Sequence, residues 1–263
     1  MQLNTDKIIA KVDGGIGWMI INNPERRNAI SLEMRDAMTS VFEEFSKDSN
    51  VRVLVIRGNG GKAFISGADI SEFNKSRSNF EAEKVYSKAS ERMSKAMNGF
   101  EKPIIAMIEG FCVGGGVATA IAADIRIAAK SSNYSIPAAK LGLSYGFDNL
   151  RQLVDLVGPA NAKWILFTSD MLDANKAYDM GLINKITDDN DLESVVIDIA
   201  NKIVNNAPLT ILSAKTTIKH IIRPEIRDLK TLDDMAKICF DSEDYKEGRE
   251  AFMEKRKPKF IGK

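Results

Sequence analysis

One histidine and two cysteines among 263 residues leave this sequence little scope for metal or disulfide chemistry. His220 alone cannot assemble the His/Cys cluster of a zinc site. Cys112 and Cys239 lie far apart, one of them among apolar neighbours, and give no disulfide framework. Charge of one sign is also missing: 37 Lys+Arg against 36 Asp+Glu leave a formal +1, with no field to draw nucleic acid or an anionic membrane. The opening residues, "MQLNTDKIIAKVDG", have no apolar core of export-signal length and carry acids, so a reducing, cytoplasmic compartment is expected. Only 104–123 approaches a membrane span in length; its four glycines and Glu109 make it a buried strand, a loop and a buried helix instead. No G-x-G-x-x-G follows a strand, and "GNGGKA" lacks both the spacing and the Ser/Thr of a phosphate-binding P-loop. Internal repeats and low-complexity tracts are absent as well. The chain is therefore expected to carry no metal and no cofactor, and to bind neither nucleic acid nor membrane.

What the chain does contain is an alternation of β-rich apolar runs with amphipathic segments. "IGWMII" (16–21), "VRVLVIRG" (51–58), "PIIAMIEG" (103–110) and "DIRIAA" (124–129) read as strands. The second is a near-continuous apolar run, as in a sheet covered on both faces. Between them, Met34, Met38, Val41, Phe42 and Phe45 recur at helical spacing, with Ser31 placed to cap the helix. Residues 79–100 and 115–123 also read as helices, and the pattern beyond Gly142 is helical. An α/β core over 1–195 with a helical region over 196–263 is expected.

Two glycine-rich stretches sit where strands turn into helices: "GKAFISGADI" (61–70) and the triple glycine of "EGFCVGGGVATA" (109–120). Each offers backbone N–H groups at a helix start, where negative charge is favoured. Facing one another, they would make a two-donor oxyanion hole; singly, each is also an ordinary tight turn. Asp69 and Glu109 beside these turns read as structural, Asp69 as a helix cap. "GLSYG" (142–146) matches the nucleophile-elbow pattern, with Ser144 as nucleophile and His220 as base. Against a serine hydrolase, "PAAKL" is a poor strand to lead into an elbow, and His220 lies in a helical run. The basic end "EGREAFMEKRKPKF" reads as a solvated helix end or as a contact for ligand phosphates.

In their order, "NNPERRNAIS", "VRVLVIRGNGGKAFISGADI", "KPIIAMIEGFCVGGG", "DIRIAA", "IPAAKLGLSYG", "LVGPANAKWILFTSDMLDANKAYDMGLINKI" and "AFMEKRKPKF" resemble the enoyl-CoA hydratase/isomerase family, the crotonase superfamily. The resemblance spans nearly the whole chain. It implies a crotonase fold of repeated ββα units, with C-terminal helices used in trimerisation, as a homotrimer or homohexamer. It implies an acyl-CoA thioester as substrate, with coenzyme A present only as part of that substrate. The family's oxyanion donors match the N–H groups of Ala68 and Gly115. Arg26, Arg27, Ala29, Lys62, Ala63, Ile70 and Gly114 match the path of the ligand, and Phe252 and Lys255 match residues that reach CoA from the C-terminal segment.

Departures from the family pattern narrow the chemistry. Its hydratases carry glutamates at the positions of Ala118 and Ala138, and alanine can be neither base nor acid for water addition. Tyr145 matches a functional tyrosine of the family's methylmalonyl-CoA decarboxylases, whose histidine is Ala68 here. Asp148 is a second candidate acid/base, with the N-cap of the following helix as its structural reading. The expectation is an enolate-forming enzyme, with decarboxylation or another lyase reaction ahead of isomerisation and then hydration. A catalytically silent CoA-binding protein and a Ser144 hydrolase are the alternatives.

Overall fold

Two glycines at φ 56° and 87°, Gly14 and Gly15, close the first hairpin of the computed structural model, which describes residues 3–69 and 80–263. They separate β1 (Ile8–Asp13) from β2 (Ile16–Ile21), with Asp13 opposite Ile16. A two-residue loop with both φ positive matches the right-handed twist of the strands it joins. From there the chain adds parallel strands: β3 (Val53–Gly58), β5 (Ile104–Ile108), β7 (Ile125–Ala129) and β10 (Lys185–Thr187), giving the order β1-β2-β3-β5-β7-β10. Alternate residues of β3 serve different layers. Leu54 and Ile56 face the main core, whereas Val53 and Val55 join Trp18, Ile105, Met107 and Ile127 on the other face. That division explains the unbroken apolar run.

β3, β5 and β7 each hand the chain to a short strand in a second sheet, β4 (Ala63–Ile65), β6 (Phe111–Val113) and β8 (Asn133–Ser135), ordered β4-β6-β8-β9 with β9 (Leu172–Asp173) antiparallel at the end. Helices follow: α2 (Phe80–Asn98) after β4, α3 (Gly115–Ala122) after β6 and α4 (Phe147–Thr168) after β8. The ββα repeat implied by the resemblance is thus present, although no sequence repeat announces it. α1 (Leu32–Lys47) lies ahead of β3; Ser31 Oγ accepts from the Met34 amide at 3.3 Å, and Met34, Met38, Val41, Phe42 and Phe45 are all buried. Gly116 sets the closeness of the sheet–helix packing, since a Cβ there would lie 2.0 Å from the Ile65 carbonyl oxygen.

Three expectations need correction. β9 and β10 interrupt the stretch read as helical, as two- and three-residue strands on sheet edges, the first leading directly into α5 (Ala174–Asp179). The loop expected within 104–123 contains β6. The boundary at 195/196 falls inside α6 (Leu192–Val204), whose buried Leu192, Val196 and Ala200 cover the second face of the main sheet. Only α7 (Pro208–Ile222), α8 (Leu229–Asp241) and α9 (Glu243–Glu254) form the helical end. The tail returns to the body: the buried Asp244 carboxylate accepts from the amides of Ile261 and Gly262 at 2.7 and 2.9 Å, and Arg52 donates to the Phe260 carbonyl. Among the described residues, no single helix is long and apolar enough to cross a membrane.

Candidate active site

Backbone pairing aims the first glycine-rich turn. The Ile30 amide donates to the Gly67 carbonyl at 2.8 Å and the Asp69 amide to the Ile30 carbonyl at 3.0 Å. This parallel bridge uses the groups flanking Ala68, so the Ala68 N–H faces the opposite way. The second turn is held by Gly114, whose amide donates to the Ser135 carbonyl at 2.8 Å and whose φ of 54° lets α3 begin at Gly115. As the first residue of that helix, Gly115 has an N–H with no partner inside it. The two turns face each other: a Cβ on Gly115 would sit 3.9 Å from the Ala68 nitrogen, and one on Gly67 4.0 Å from the Gly115 nitrogen. Neither N–H donates to another group among the described residues.

These turns border a cavity of about 390 Å³ between α1, α2, α3 and the segment leading into α4. Ala118, one turn into α3, lines it together with the buried Ala138. Tyr145 enters from the far side, its phenol donating to the Gly114 carbonyl at 3.1 Å. Burial, with a smaller contribution from Cys112 nearby, pushes the Tyr145 phenol up to about 12, so it stays protonated at neutral pH. Among the described lining residues there is no Asp, Glu, His or Lys. The one formal charge among them is Arg35, accompanied by neutral Ser90, Ser94, Thr119, Asn149 and Gln152. None of these six was legible as a site residue. On amphipathic helices their polarity reads as a solvated face, and only the fold turns that face towards the cavity.

The residues matched to the CoA path divide into two groups. Arg26 and Arg27 are exposed on the 3-10 turn Pro24–Arg26 and its cap, and their carbonyls accept from Ser66 Oγ (3.3 Å) and the Ser66 amide (3.2 Å). The Arg27 guanidinium lies over the Phe111 ring at 5.3 Å, and the Phe111 amide donates to the carbonyl of exposed Lys62. The three cations therefore gather beside the Ala68 turn, with Ala29 and Ala63 buried beneath them. Phe252 and Lys255, by contrast, are exposed at the end of α9 and do not line the cavity of their own chain. Ile70, and the helix that Asp69 was expected to cap, lie outside the described residues.

One expectation, at Asp148, and one alternative, at Ser144, fail on geometry. Asp148 is exposed, does not line the cavity and is not the N-cap of α4. Gly146 holds that position in extended conformation, which leaves Asp148 inside the first turn without a capping bond. The nucleophile elbow is absent. The chain reaches exposed Ser144 from a 3-10 turn at Ala139–Leu141, not from a strand, and His220 Nδ1 is bonded to the Thr216 carbonyl of its own helix at 2.9 Å.

A family model described as enoyl-CoA hydratase/isomerase matches residues 11–263. A crotonyl-CoA hydratase of Syntrophomonas wolfei is 34% identical over 263 residues, covering 98% of this chain and 99% of that protein. The methylmalonyl-CoA decarboxylase of Escherichia coli is 29% identical over 247 residues, 92% of each chain. A crystal structure of an enoyl-CoA hydratase/carnithine racemase from Magnetospirillum magneticum superposes with a TM-score of 0.94 at 34% identity, covering 99% of this chain and 97% of that one. Matched in sequence over residues 11–263 and in fold over 99% of its length, the chain belongs to the enoyl-CoA hydratase/isomerase family of CoA-thioester enzymes.

Proposed function

We propose that this enzyme forms a thioester enolate in the cavity, and that its reaction is of the lyase type, with decarboxylation ahead of isomerisation. The observation that carries the reading is the lining itself. Two N–H groups with no internal partner converge on walls that hold Ala118 and Ala138 and, among the described residues, no carboxylate. The Ala68 and Gly115 amides would receive the thioester oxygen, each such donor contributing about 10²–10³ in rate. The start of α3 adds its dipole to the same oxygen.

Decarboxylation suits walls without a base. The bond from Cα to the carboxylate breaks, its electron pair passes into the enolate, CO₂ leaves, and one proton must return to Cα. Tyr145 is the group to supply it, being protonated and at the cavity wall. Arg26, Arg27 and Lys62 would meet the CoA phosphates, with Phe252 and Lys255 contributed from a neighbouring copy. Exposed Ile218, Ile221, Leu229, Ile238 and Phe240 on α7 and α8 support association into a trimer or hexamer.

Hydration is the second reading, favoured by the name of the Syntrophomonas wolfei relative. It needs a base for water and an acid for the α-carbon, which neither alanine provides. Incubating the protein with acyl-, enoyl- and malonyl-type CoA thioesters, followed by mass spectrometry, separates the readings by loss of CO₂, double-bond shift, gain of water or no change. We expect crotonyl-CoA turnover at least ~10³-fold below a typical hydratase, the scale of lost acid–base catalysis. An ordinary kcat/KM on crotonyl-CoA would overturn the lyase reading. No change with any thioester would favour a silent CoA-binding protein.

A further inference from the structure

We propose that Ser94 and Gln152 make this cavity selective for CoA thioesters whose acyl group carries a hydroxyl beyond its β-carbon. The inference rests on the acyl-thioester reading of the same cavity and adds the class of acyl group. Both side chains line the cavity, Ser94 from α2 and Gln152 from α4. They are joined through Asn98, the last residue of α2. Gln152 Nε2 donates to Asn98 Oδ1 at 3.2 Å, and Asn98 Nδ2 donates to Ser94 Oγ at 3.3 Å. Each end of this chain keeps one capacity unused among the described residues. Gln152 Oε1 accepts from none of them. The Ser94 hydroxyl proton goes to none of them either, whereas Thr39, Ser40 and Thr119 each donate to the carbonyl four residues earlier.

One end of the chain therefore offers an acceptor and the other a donor. Turning both amides over reverses the direction of every bond, and the two ends still differ. An alcohol fits such a pair, because its oxygen accepts one bond and its proton makes another. A ketone only accepts. An alkyl chain shields both ends from water and returns no bond, which penalises it.

The chain stands away from the oxyanion turns. Lys219 Nζ donates to the Asn98 carbonyl at 3.2 Å, and Lys215, one turn earlier on α7, pairs at 2.8 Å with Asp124, just past the end of α3. Asn98 thus lies towards the C-terminal end of α3, whereas Gly115 opens the other end, about 12 Å away by the rise of a helix of eight residues. Carbons beyond the β-position carry a hydroxyl from the turns towards Ser94 and Gln152.

Isothermal titration calorimetry of 4- and 5-hydroxypentanoyl-CoA against pentanoyl-CoA and 4-oxopentanoyl-CoA tests this. None of these thioesters has a carboxylate to lose or a carbon–carbon double bond to shift or hydrate, so the comparison reads binding alone. At least one alcohol should bind the wild type about tenfold or more tightly than pentanoyl-CoA, the scale of one unmade hydrogen bond, and more tightly than the ketone. Gln152→Met removes the amide and Ser94→Ala the hydroxyl, and each should bring the alcohol-to-alkyl ratio below about threefold. Ser94→Ala decides alone if thermal melts show that Gln152→Met does not fold. A wild-type ratio below tenfold, a ketone bound as tightly as the better alcohol, or a ratio that stays at threefold or above in a folded variant overturns this inference alone. Failure of every thioester to bind overturns the acyl-thioester reading and this inference with it.

Discussion

Tyr145 ties the site's chemistry to its architecture. Its phenol holds the Gly114 carbonyl and so braces the turn that presents the Gly115 N–H, while the same burial keeps it protonated. Both roles fit one side chain only if the hydroxyl can leave Gly114 for the enolate carbon. We expect Tyr145→Phe to lower kcat by roughly 10²-fold with KM changed less than about threefold, as for a lost general acid. A kinetic assay on the substrate identified by the thioester panel checks this, and unchanged kcat would reduce Tyr145 to a brace. Much of the site was legible at this scale. Ala68, Gly115, Ala118, Ala138 and Tyr145 sit in motifs whose order is diagnostic, and all five line one cavity. Arg35 was not legible, because an arginine beside an aspartate on an amphipathic helix looks like any solvated charge.

At the scale of elements, the triple glycine divides its labour. Gly114 turns the chain with a positive φ, Gly115 leaves room in front of its N–H, and Gly116 lets α3 press onto β4. Gly116→Ala would put a methyl 2.0 Å from a backbone oxygen that cannot swing away. We expect a loss of about 2–4 kcal/mol, measured by urea denaturation, from forced backbone displacement. Ser31→Ala should cost only about 1 kcal/mol, the value of an N-cap. Long helices and covered strands were readable because their periods run over many residues. The edge strands β9 and β10, with two and three residues, are too short to show a period. Asp148 misled for a related reason: the N-cap was assigned to a good capping residue, whereas the backbone begins the helix two positions earlier, after a glycine.

For the whole molecule, buried Cys112 and Tyr134 and half-buried Tyr145 weaken the fold at alkaline pH. Burial raises Cys112, Tyr134 and Tyr145 above their ordinary values, Tyr145 to about 12. Each folded-state value exceeds the unfolded one, so the unfolded chain releases protons first as pH rises. Stability is then fully present below the ordinary thiol and phenol values, near 9 and 10, and falls as pH climbs above them. Thermal melts between pH 8 and 11 should show a flat Tm up to about 9 and a steady decline beyond, and a Tm constant to pH 11 would contradict the burial of these groups. The α/β core was readable as a whole. The division at 195/196 was not, because α6 has the amphipathic pattern of the helices after it, and only the fold assigns its apolar face to the sheet.

Gly115→Ala tests the central claim most directly, with Tm, CoA affinity and turnover measured on the one variant. Its φ is not positive and its nearest Cβ contacts are 3.8–3.9 Å, so the fold accepts the methyl. The methyl would, however, approach the Ala68 nitrogen to 3.9 Å, in the space between the two turns that the proposed function gives to the thioester oxygen. We expect an unchanged Tm, retained binding of free CoA, and turnover lower by 10²-fold or more, the scale of a lost oxyanion donor. A destabilised protein with normal turnover per folded molecule would contradict it.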